Sequence, residues 1–313
     1  MDSYSFSEIK FPSADGKNTV NAEIYTPKDK DIRGVVQLSH GMLDYVGRYR
    51  RLAEYLTEHG FVFAGNDHLG HGKTASSDED FGFFAERDGV LSVLRDIHIM
   101  NKHLRSEFVG VPVILLGHSM GSFLSRLYVE RHPHSIAGHI IHGTGGPNPL
   151  LPFGKAFVGL KKIFRGERYR SKTLENLAFS GYNSHFDKSE GKNAWLTRDI
   201  AAVSGRDDDK MSNFTFTASA YGDLFKMVGD SNSKAWFAAY PKELPTLIMS
   251  GGDDPVGNYG KGPHYVYKKL MVSGVSNVTL KIYEGARHEL FNEINREEAF
   301  ADIVAFCNGV AAK

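Results

Sequence analysis

The hydrophobic positions of this chain follow two different spacings that alternate along the sequence. Short runs that are apolar on both faces predict buried strands at 35–38, 61–65, 113–117 and 136–141. Between these runs, apolar residues recur at the spacing of a helix face over 48–59, 90–105 and 121–131. Strands that alternate with helices indicate a mostly parallel central sheet flanked by helices. The pattern therefore predicts an α/β fold.

The two ends of the chain extend this pattern, and the middle interrupts it. Segments 4–11 and 19–25 flank a turn at Asp15-Gly16, which predicts an antiparallel hairpin leading into the sheet. The last part resumes the alternation of strands and helices at 245–250, 265–272, 278–283 and 297–307. The stretch 143–241, between these two parts, has no strong strand pattern. We therefore expect a core formed by 1–142 and 242–313, with a mostly helical cap, or lid, inserted at 143–241.

The composition is that of a globular protein without a strong charge bias. Hydrophobic residues make up 41% of the 313 residues, enough for a large core. Lys plus Arg and Asp plus Glu both number 37, so the surface has no net charge to attract nucleic acid. The first twenty residues lack the apolar stretch of a secretory signal, and no apolar run of about 18 residues follows. We expect a cytoplasmic protein.

The segment Gly117-His118-Ser119-Met120-Gly121 is the first candidate for chemistry. The bare pattern Gly-x-Ser-x-Gly arises easily by chance, but here an apolar strand runs into it and a helix leaves it. That strand–turn–helix context raises a serine above the edge of a sheet, and glycines permit the tight turn. The sequence therefore predicts Ser119 as a nucleophile.

A serine hydroxyl needs a base, and the base needs a carboxylate. His288 follows the predicted strand 278–283 through a short turn, which places it at the same edge of the sheet. Asp253 and Asp254 follow the strand 245–250, and position alone allows either of them to orient the imidazole. The order Ser, Asp, His along the chain is the one expected for a serine nucleophile on a sheet of this kind.

Two backbone N–H groups should stabilise the oxyanion that forms during acyl transfer. Met120 follows the nucleophile, and Met42 lies in the loop after the strand 35–38, so we predict their N–H groups as the oxyanion hole. The loop 66–72 contains Asp67, His68 and His71, but no further ligand set accompanies it. We expect that loop to support the oxyanion loop and predict no metal and no cofactor.

With these motifs in place, the chain resembles the monoacylglycerol lipase and lysophospholipase branch of the α/β-hydrolases. The resemblance spans nearly the whole core, and its most specific motifs are Ser39-His40-Gly41, Gly47-Arg48-Tyr49, the loop 67–72, the segment 117–121 and the segment 285–289. It implies an α/β-hydrolase fold. The acid motif of the family, Gly-x-x-Asp, falls on Gly251 and Asp254, which implies that Asp254 is the triad carboxylate.

In that family the inserted cap forms much of the acyl tunnel, so the resemblance implies that cap residues contact the substrate. Candidate lining residues are Leu151, Phe153, Phe157 and Trp195. The predicted helix 150–165 combines apolar with basic residues, a pattern that allows a transient contact with a membrane surface or simple packing on the core. The cap around 207–216 departs from the family pattern, which leaves the substrate open.

The main expectation is a serine hydrolase acting on single-chain lipid esters through an acyl-enzyme on Ser119. A small-ester or aryl esterase and an aminopeptidase or amidase on the same fold are the enzyme alternatives. Dehalogenases and epoxide hydrolases carry Asp where this chain has Ser119. A ligand receptor without turnover is the non-enzyme alternative. No motif indicates a nucleic-acid partner, and the sequence does not indicate an oligomeric state.

Overall fold

In the residues that the computed structural model describes, 3–312, eight strands form one sheet. The strands are β1 (Tyr4–Pro12), β2 (Thr19–Pro27), β3 (Gly34–Ser39), β4 (Phe61–Asn66), β5 (Val113–His118), β6 (Gly138–His142), β7 (Thr246–Gly251) and β8 (Val278–Tyr283). Their spatial order is β1-β2-β4-β3-β5-β6-β7-β8. Strands β1 and β2 pair antiparallel, and β2 also runs antiparallel to β4. All other neighbours are parallel, which confirms the predicted mostly parallel sheet and its opening hairpin.

The described range contains ten α-helices, numbered in chain order. Five belong to the alternating part of the chain: α1 (Arg50–Glu58), α2 (Gly89–Glu107), α3 (Met120–Arg131), α9 (Lys261–Val272) and α10 (Arg296–Ala311). Five lie between β6 and β7: α4 (Leu151–Arg165), α5 (Lys172–Ala178), α6 (Ile200–Asp208), α7 (Ala218–Ser231) and α8 (Lys234–Ala239). Within 3–312, none of these helices has the length and apolarity needed to span a bilayer.

The core consists of two hydrophobic layers, one on each face of the sheet. Side chains of a strand point alternately to opposite faces, and β5 shows how both layers are filled. Val113 and Leu115 pack in the layer that contains α2, α3 and α9. Ile114 and Leu116 pack in the layer that contains α1 and α10. Strand β5 lies between β3 and β6, and its two apolar faces fit this interior position in the sheet.

Residues 143–241, which we call the cap, contain the five helices between β6 and β7. Four of these helices begin at a side chain that accepts a hydrogen bond from the backbone N–H three residues later, namely Ser171, Asp199, Thr217 and Ser233. Helix α7 packs the cap onto the core, because Tyr221 and Met227 lie in the same hydrophobic cluster as Leu124 of α3. The division of the chain at 143 and 241 stays a prediction.

Candidate active site

Ser119 lies at the sharp turn between β5 and α3. Its backbone φ is 53°, a left-handed value that side chains rarely adopt. The two neighbouring glycines make the turn possible. A Cβ on Gly117 would collide with the carbonyl oxygen of Gly121, and one on Gly121 would collide with the carbonyl oxygen of Ser39. The absence of a side chain at Gly121 therefore lets the start of α3 pack against the end of β3, where the oxyanion loop (40–44) begins.

His288 and Asp254 form a buried pair. The Nδ1–H of His288 donates to Oδ2 of Asp254 at 2.9 Å, and the other oxygen of Asp254 accepts from the backbone N–H of Val256 at 2.8 Å. Asp254 is fully buried, whereas Asp253 is exposed and makes no contact with the imidazole. Because Nδ1 carries the proton, Nε2 of His288 is left to accept one from a nucleophile. The geometry pairs Asp254, and not Asp253, with the histidine.

Ser119 and His288 line the same cavity. Among the hydrogen bonds of the described residues there is none between Ser119 Oγ and the imidazole of His288. Catalytic hydrogen bonds of this kind are often long without a substrate and shorten when one binds. The three residues proposed from the sequence therefore lie together at the C-terminal edge of the sheet.

The backbone N–H groups of Met42 and Met120 have no protein acceptor among the described hydrogen bonds. Met120 is the first residue of α3, where the N–H has no partner within the helix. Met42 and Met120 line the cavity beside Ser119. Both groups are therefore available to an oxygen atom that lies above the serine, as an oxyanion hole requires.

His40 holds the oxyanion loop in place. Its Nδ1–H donates to the carbonyl of Gly41 at 2.8 Å, and its Nε2 accepts from the backbone N–H of His68 at 2.9 Å. Burial lowers the pKa of His40 to about 4. The imidazole is therefore neutral at physiological pH, and both of its nitrogens are occupied by structural hydrogen bonds.

The acidic and histidine residues of the loop 66–72 are engaged in similar contacts. Asp67 accepts from the backbone N–H groups of Val46 at 2.9 Å and Lys73 at 2.8 Å, and His68 contacts the hydroxyl of Ser39 at 3.1 Å. Burial raises the pKa of Asp67 to about 7. Within residues 3–312, no three His, Cys, Asp or Glu side chains are arranged to hold a metal ion.

A cavity of about 350 Å³ extends from Ser119 into the cap. Its apolar lining residues come mainly from α3 and α7, with Met120, Phe123, Leu224, Phe225, Val228 and Val256. Polar lining residues come from other parts of the cap, with Asn176, Asn183, Asn193, Ser212 and Asn213. A cavity lined by both apolar and polar side chains suits a ligand that has an apolar chain and a polar end.

Of the four cap residues proposed as substrate contacts, only Trp195 lines this cavity. Its ring centroid lies 5.2 Å from that of His288. The expectation for Leu151, Phe153 and Phe157 is corrected, because none of them lines the cavity. Phe153 is 75% exposed, and the other two are partly buried against the hydrophobic core. Helix α4 packs on α7 through Gly154 and Val158, which meet Phe225 and Gly222 of that helix.

The apolar residues of α7 that line the cavity were not among the residues predicted from the sequence. Leu224, Phe225 and Val228 lie at the spacing of one helix face, a signal that was present in the sequence. Phe179 and Tyr182 also line the cavity, and they come from the aromatic stretch 179–187. No periodicity marks that stretch, since most of it is not helical.

The cap also contacts the base loop (284–293) through its main chain. The N–H of His288 donates to the carbonyl of Trp195 at 3.4 Å, and that of Glu289 donates to Leu196 at 2.7 Å. Arg287 donates to the carbonyl of Ala194 at 2.7 Å. Segment 194–196 of the cap therefore supports the backbone of the residue that we expect to be the base.

Comparison with known proteins agrees with this arrangement. The family model described as "Serine aminopeptidase, S33" matches residues 30–295. A monoacylglycerol lipase of Mycolicibacterium smegmatis is 25% identical, over 98% of both chains, and the human monoglyceride lipase is 27% identical over 84% of this chain and 77% of its own. A thermostable carboxyl esterase of Bacillus coagulans, solved with glycerol, has a TM-score of 0.91 at 30% identity, over 98% of this chain and 99% of its own. The predicted α/β-hydrolase fold is confirmed.

Proposed function

We propose that this chain, which belongs to the serine aminopeptidase S33 family of α/β-hydrolases, hydrolyses single-chain lipid esters of the monoacylglycerol or lysophospholipid type. The observation that carries the proposal is the cavity that joins Ser119 and His288 to apolar side chains of α3 and α7 and to polar side chains elsewhere in the cap. Relatives that span most of the chain are named monoacylglycerol or monoglyceride lipases, which supports the same substrate class.

In the proposed mechanism, Ser119 Oγ attacks the ester carbonyl carbon while His288 takes the proton of the hydroxyl. The resulting oxyanion accepts hydrogen bonds from the N–H groups of Met42 and Met120. His288 then protonates the leaving alcohol, and the acyl group remains as an ester of Ser119. A water molecule, deprotonated by the same imidazole, attacks the acyl carbon, and His288 returns the proton to Ser119 Oγ as the carboxylic acid leaves. Asp254 orients the imidazole and stabilises its protonated form throughout.

The substrate class is tested with p-nitrophenyl esters of increasing chain length, a monoacylglycerol, a lysophosphatidylcholine and an aminoacyl anilide. We expect turnover to rise from acetate towards medium and long chains, because the wall formed by Phe225 and Val228 is apolar. A preference for acetate or aryl acetates would favour the small-ester alternative. Faster cleavage of the anilide would favour an aminopeptidase.

The nucleophile is tested separately. Ser119→Ala should retain less than about a hundredth of the wild-type turnover and lose labelling by a fluorophosphonate, since triad deletions cost several orders of magnitude. Ser106→Ala, an exposed serine on α2, is the matched control and should behave as wild type. Labelling that persists in Ser119→Ala would contradict the assignment. No turnover on any ester, with an unlabelled wild-type protein, would favour the ligand receptor.

A second proposal concerns the outer face of α4, which we infer rests on a lipid surface. This helix and the residue before it expose large apolar side chains, namely Leu150, Phe153, Leu160, Ile163 and Phe164. The same helix contains basic residues, including Lys155 and Lys161, whose positive charge would favour anionic head groups. Several large apolar side chains exposed on one helix are typical of an interaction surface.

This contact is tested by co-sedimentation with phosphatidylcholine vesicles, with and without phosphatidylglycerol. The double change Phe153→Ser and Ile163→Ser should reduce binding and leave butyrate turnover unchanged. Val272→Ser on α9 is the control, because Val272 is 85% exposed and lies outside the patch. Unchanged vesicle binding by the double variant, or a shift from dimer to monomer on gel filtration, would contradict the lipid contact.

A further inference from the structure

A buried ionic cluster joins the oxyanion loop to the base loop. The guanidinium of Arg48 donates to Asp44 at 2.9 Å and to both carboxylate oxygens of Glu289, at 2.9 and 3.3 Å. Asp44 ends the loop that contains Met42, and Glu289 follows His288 directly. Burial would raise the pKa of both carboxyl groups, but the adjacent Arg48 keeps each below its ordinary value. Both carboxylates are therefore ionised next to the proposed catalytic residues.

The cap contributes a fourth charge to this cluster. Arg206 of α6 lies with its Nε 3.7 Å from a carboxylate oxygen of Glu289, and its Nη2–H donates to the carbonyl of Leu43 at 3.3 Å. Arg206 is only 8% exposed, and it lines the same cavity as Ser119. Its Nε–H has no hydrogen-bond partner within the described residues. One cap side chain thus contacts both the oxyanion loop and the base loop.

The contact at Leu43 is made where the backbone is strained. Leu43 has a φ of 55°, although it is not a glycine. Such a conformation persists only where the surroundings determine it. On the C-terminal side, Asp44 is held by Arg48 from the core. The carbonyl of Leu43 itself is held by Arg206, so the conformation next to Met42 depends on a residue of the cap.

Removal of Arg206 would affect its two partners, Glu289 and the carbonyl of Leu43, to different extents. Glu289 has two other partners, Arg48 and the side-chain amide of Asn292 at 2.8 Å, so its charge remains compensated without Arg206. The carbonyl of Leu43 has no second donor among the described hydrogen bonds. Loss of Arg206 should therefore disturb the oxyanion loop more than it disturbs the fold.

We propose that Arg206 is a positioning residue that couples the cap to the oxyanion hole. When α6 lies as in this structure, the guanidinium of Arg206 holds Leu43 in the strained conformation. The N–H of Met42 then points at the reacting carbonyl. With α6 displaced, Leu43 relaxes and turnover falls. Turnover at Ser119 would then depend on the position of the cap. This inference rests on the proposed ester hydrolysis, with Met42 in the oxyanion hole.

The test measures kcat and KM on p-nitrophenyl butyrate, which has no lipid head group for Arg206 to bind. Arg206→Gln should lower kcat by about 10- to 100-fold, the loss typical of a small misplacement near the chemistry, with KM nearly unchanged. Affinity for a trifluoromethyl ketone, which mimics the tetrahedral oxyanion, should fall in parallel with kcat/KM. Ser204→Ala, on the exposed side of α6, is the matched control and should match wild type.

A double-mutant cycle identifies the mechanism. Glycine adopts a positive φ without strain, so the loop should need less support in the Leu43→Gly background. There, Arg206→Gln should cost less than about threefold in kcat, compared with about 10- to 100-fold in the wild-type background. Arg206→Lys provides a second variant if Arg206→Gln folds poorly. The decrease in kcat that it causes should likewise be smaller in the Leu43→Gly background.

Three results would overturn the proposal. A rise in KM with kcat preserved would make Arg206 a substrate contact. Equal losses in the two backgrounds, together with a lowered melting temperature and unchanged affinity for the ketone, would make its role purely structural. Variants as active as wild type would remove any role. Failure of the proposed function differs from these, because the wild-type protein itself would then show no esterase activity, and this inference would fall with it.

Discussion

Replacing His40 with glutamine removes one buried imidazole from the support of the oxyanion loop, and the pH dependence of stability should report the change. Glutamine can still accept the hydrogen bond that His40 receives from the backbone of His68. It cannot take up a proton. The variant therefore separates the titration of this side chain from its packing.

The expected magnitude follows from the lowered pKa of His40. Burial lowers this pKa from 6.5 to about 4, so the unfolded chain binds a proton below pH 6.5 while the folded protein does not. The free energy of unfolding should then decrease, as pH falls through this interval, by about 1.4 kcal/mol per pH unit for this group. The total contribution is about 3 kcal/mol, lost between pH 6.5 and pH 4.

Urea unfolding at about pH 7, 6 and 5, followed by tryptophan fluorescence, measures this slope. Other buried histidines, such as His71 and His139, contribute to the slope of wild type and variant alike. The difference between the two slopes therefore isolates His40. His134→Gln, at an exposed position, is the control and should have the wild-type slope. If His40→Gln also has the wild-type slope, the buried neutral imidazole is refuted.

Two further predictions concern turnover. Asp254→Asn should lower kcat on a soluble ester by about a thousandfold or more, since the buried carboxylate orients His288, whereas the exposed Asp253 should tolerate the same change. Similar losses for both variants would contradict this assignment. Phe225→Ala should reduce the preference in kcat/KM for laurate over butyrate by about 1 to 3 kcal/mol, because an apolar contact is lost. Phe153→Ala, at an exposed position, should keep the preference, and the opposite pattern would contradict the proposed acyl wall.

The core of this fold was predictable because its signals are local. Buried strands such as β5 are apolar on both faces, and the glycines around Ser119 have a steric reason that can be stated from the sequence. Parallel strands end at one edge of the sheet, so strand order along the chain was enough to predict that Ser119, Asp254 and His288 approach one another. The choice between Asp253 and Asp254 needed the family motif or the observed hydrogen bond.

The cap was less predictable because its helices are apolar on more than one face. In α4, periodicity could not distinguish the side chains that meet α7 from those that meet solvent. The structure places Gly154 and Val158 against α7, which leaves Phe153 and Ile163 exposed. The role of Arg206 could not be predicted at all, because its partners lie more than 80 positions away in both directions.

The hydrogen bonds between segment 194–196 and the base loop have a consequence for engineering and for the evolution of substrate preference. A cap exchanged between relatives would bring a new backbone against His288 and Glu289, even if the transferred piece ended cleanly at 143 and 241. A chimera that also transfers 284–293 would keep this interface intact. Under the proposed function, substrate preference and the alignment of His288 would therefore change together, and the unit for transplantation is the cap plus 284–293.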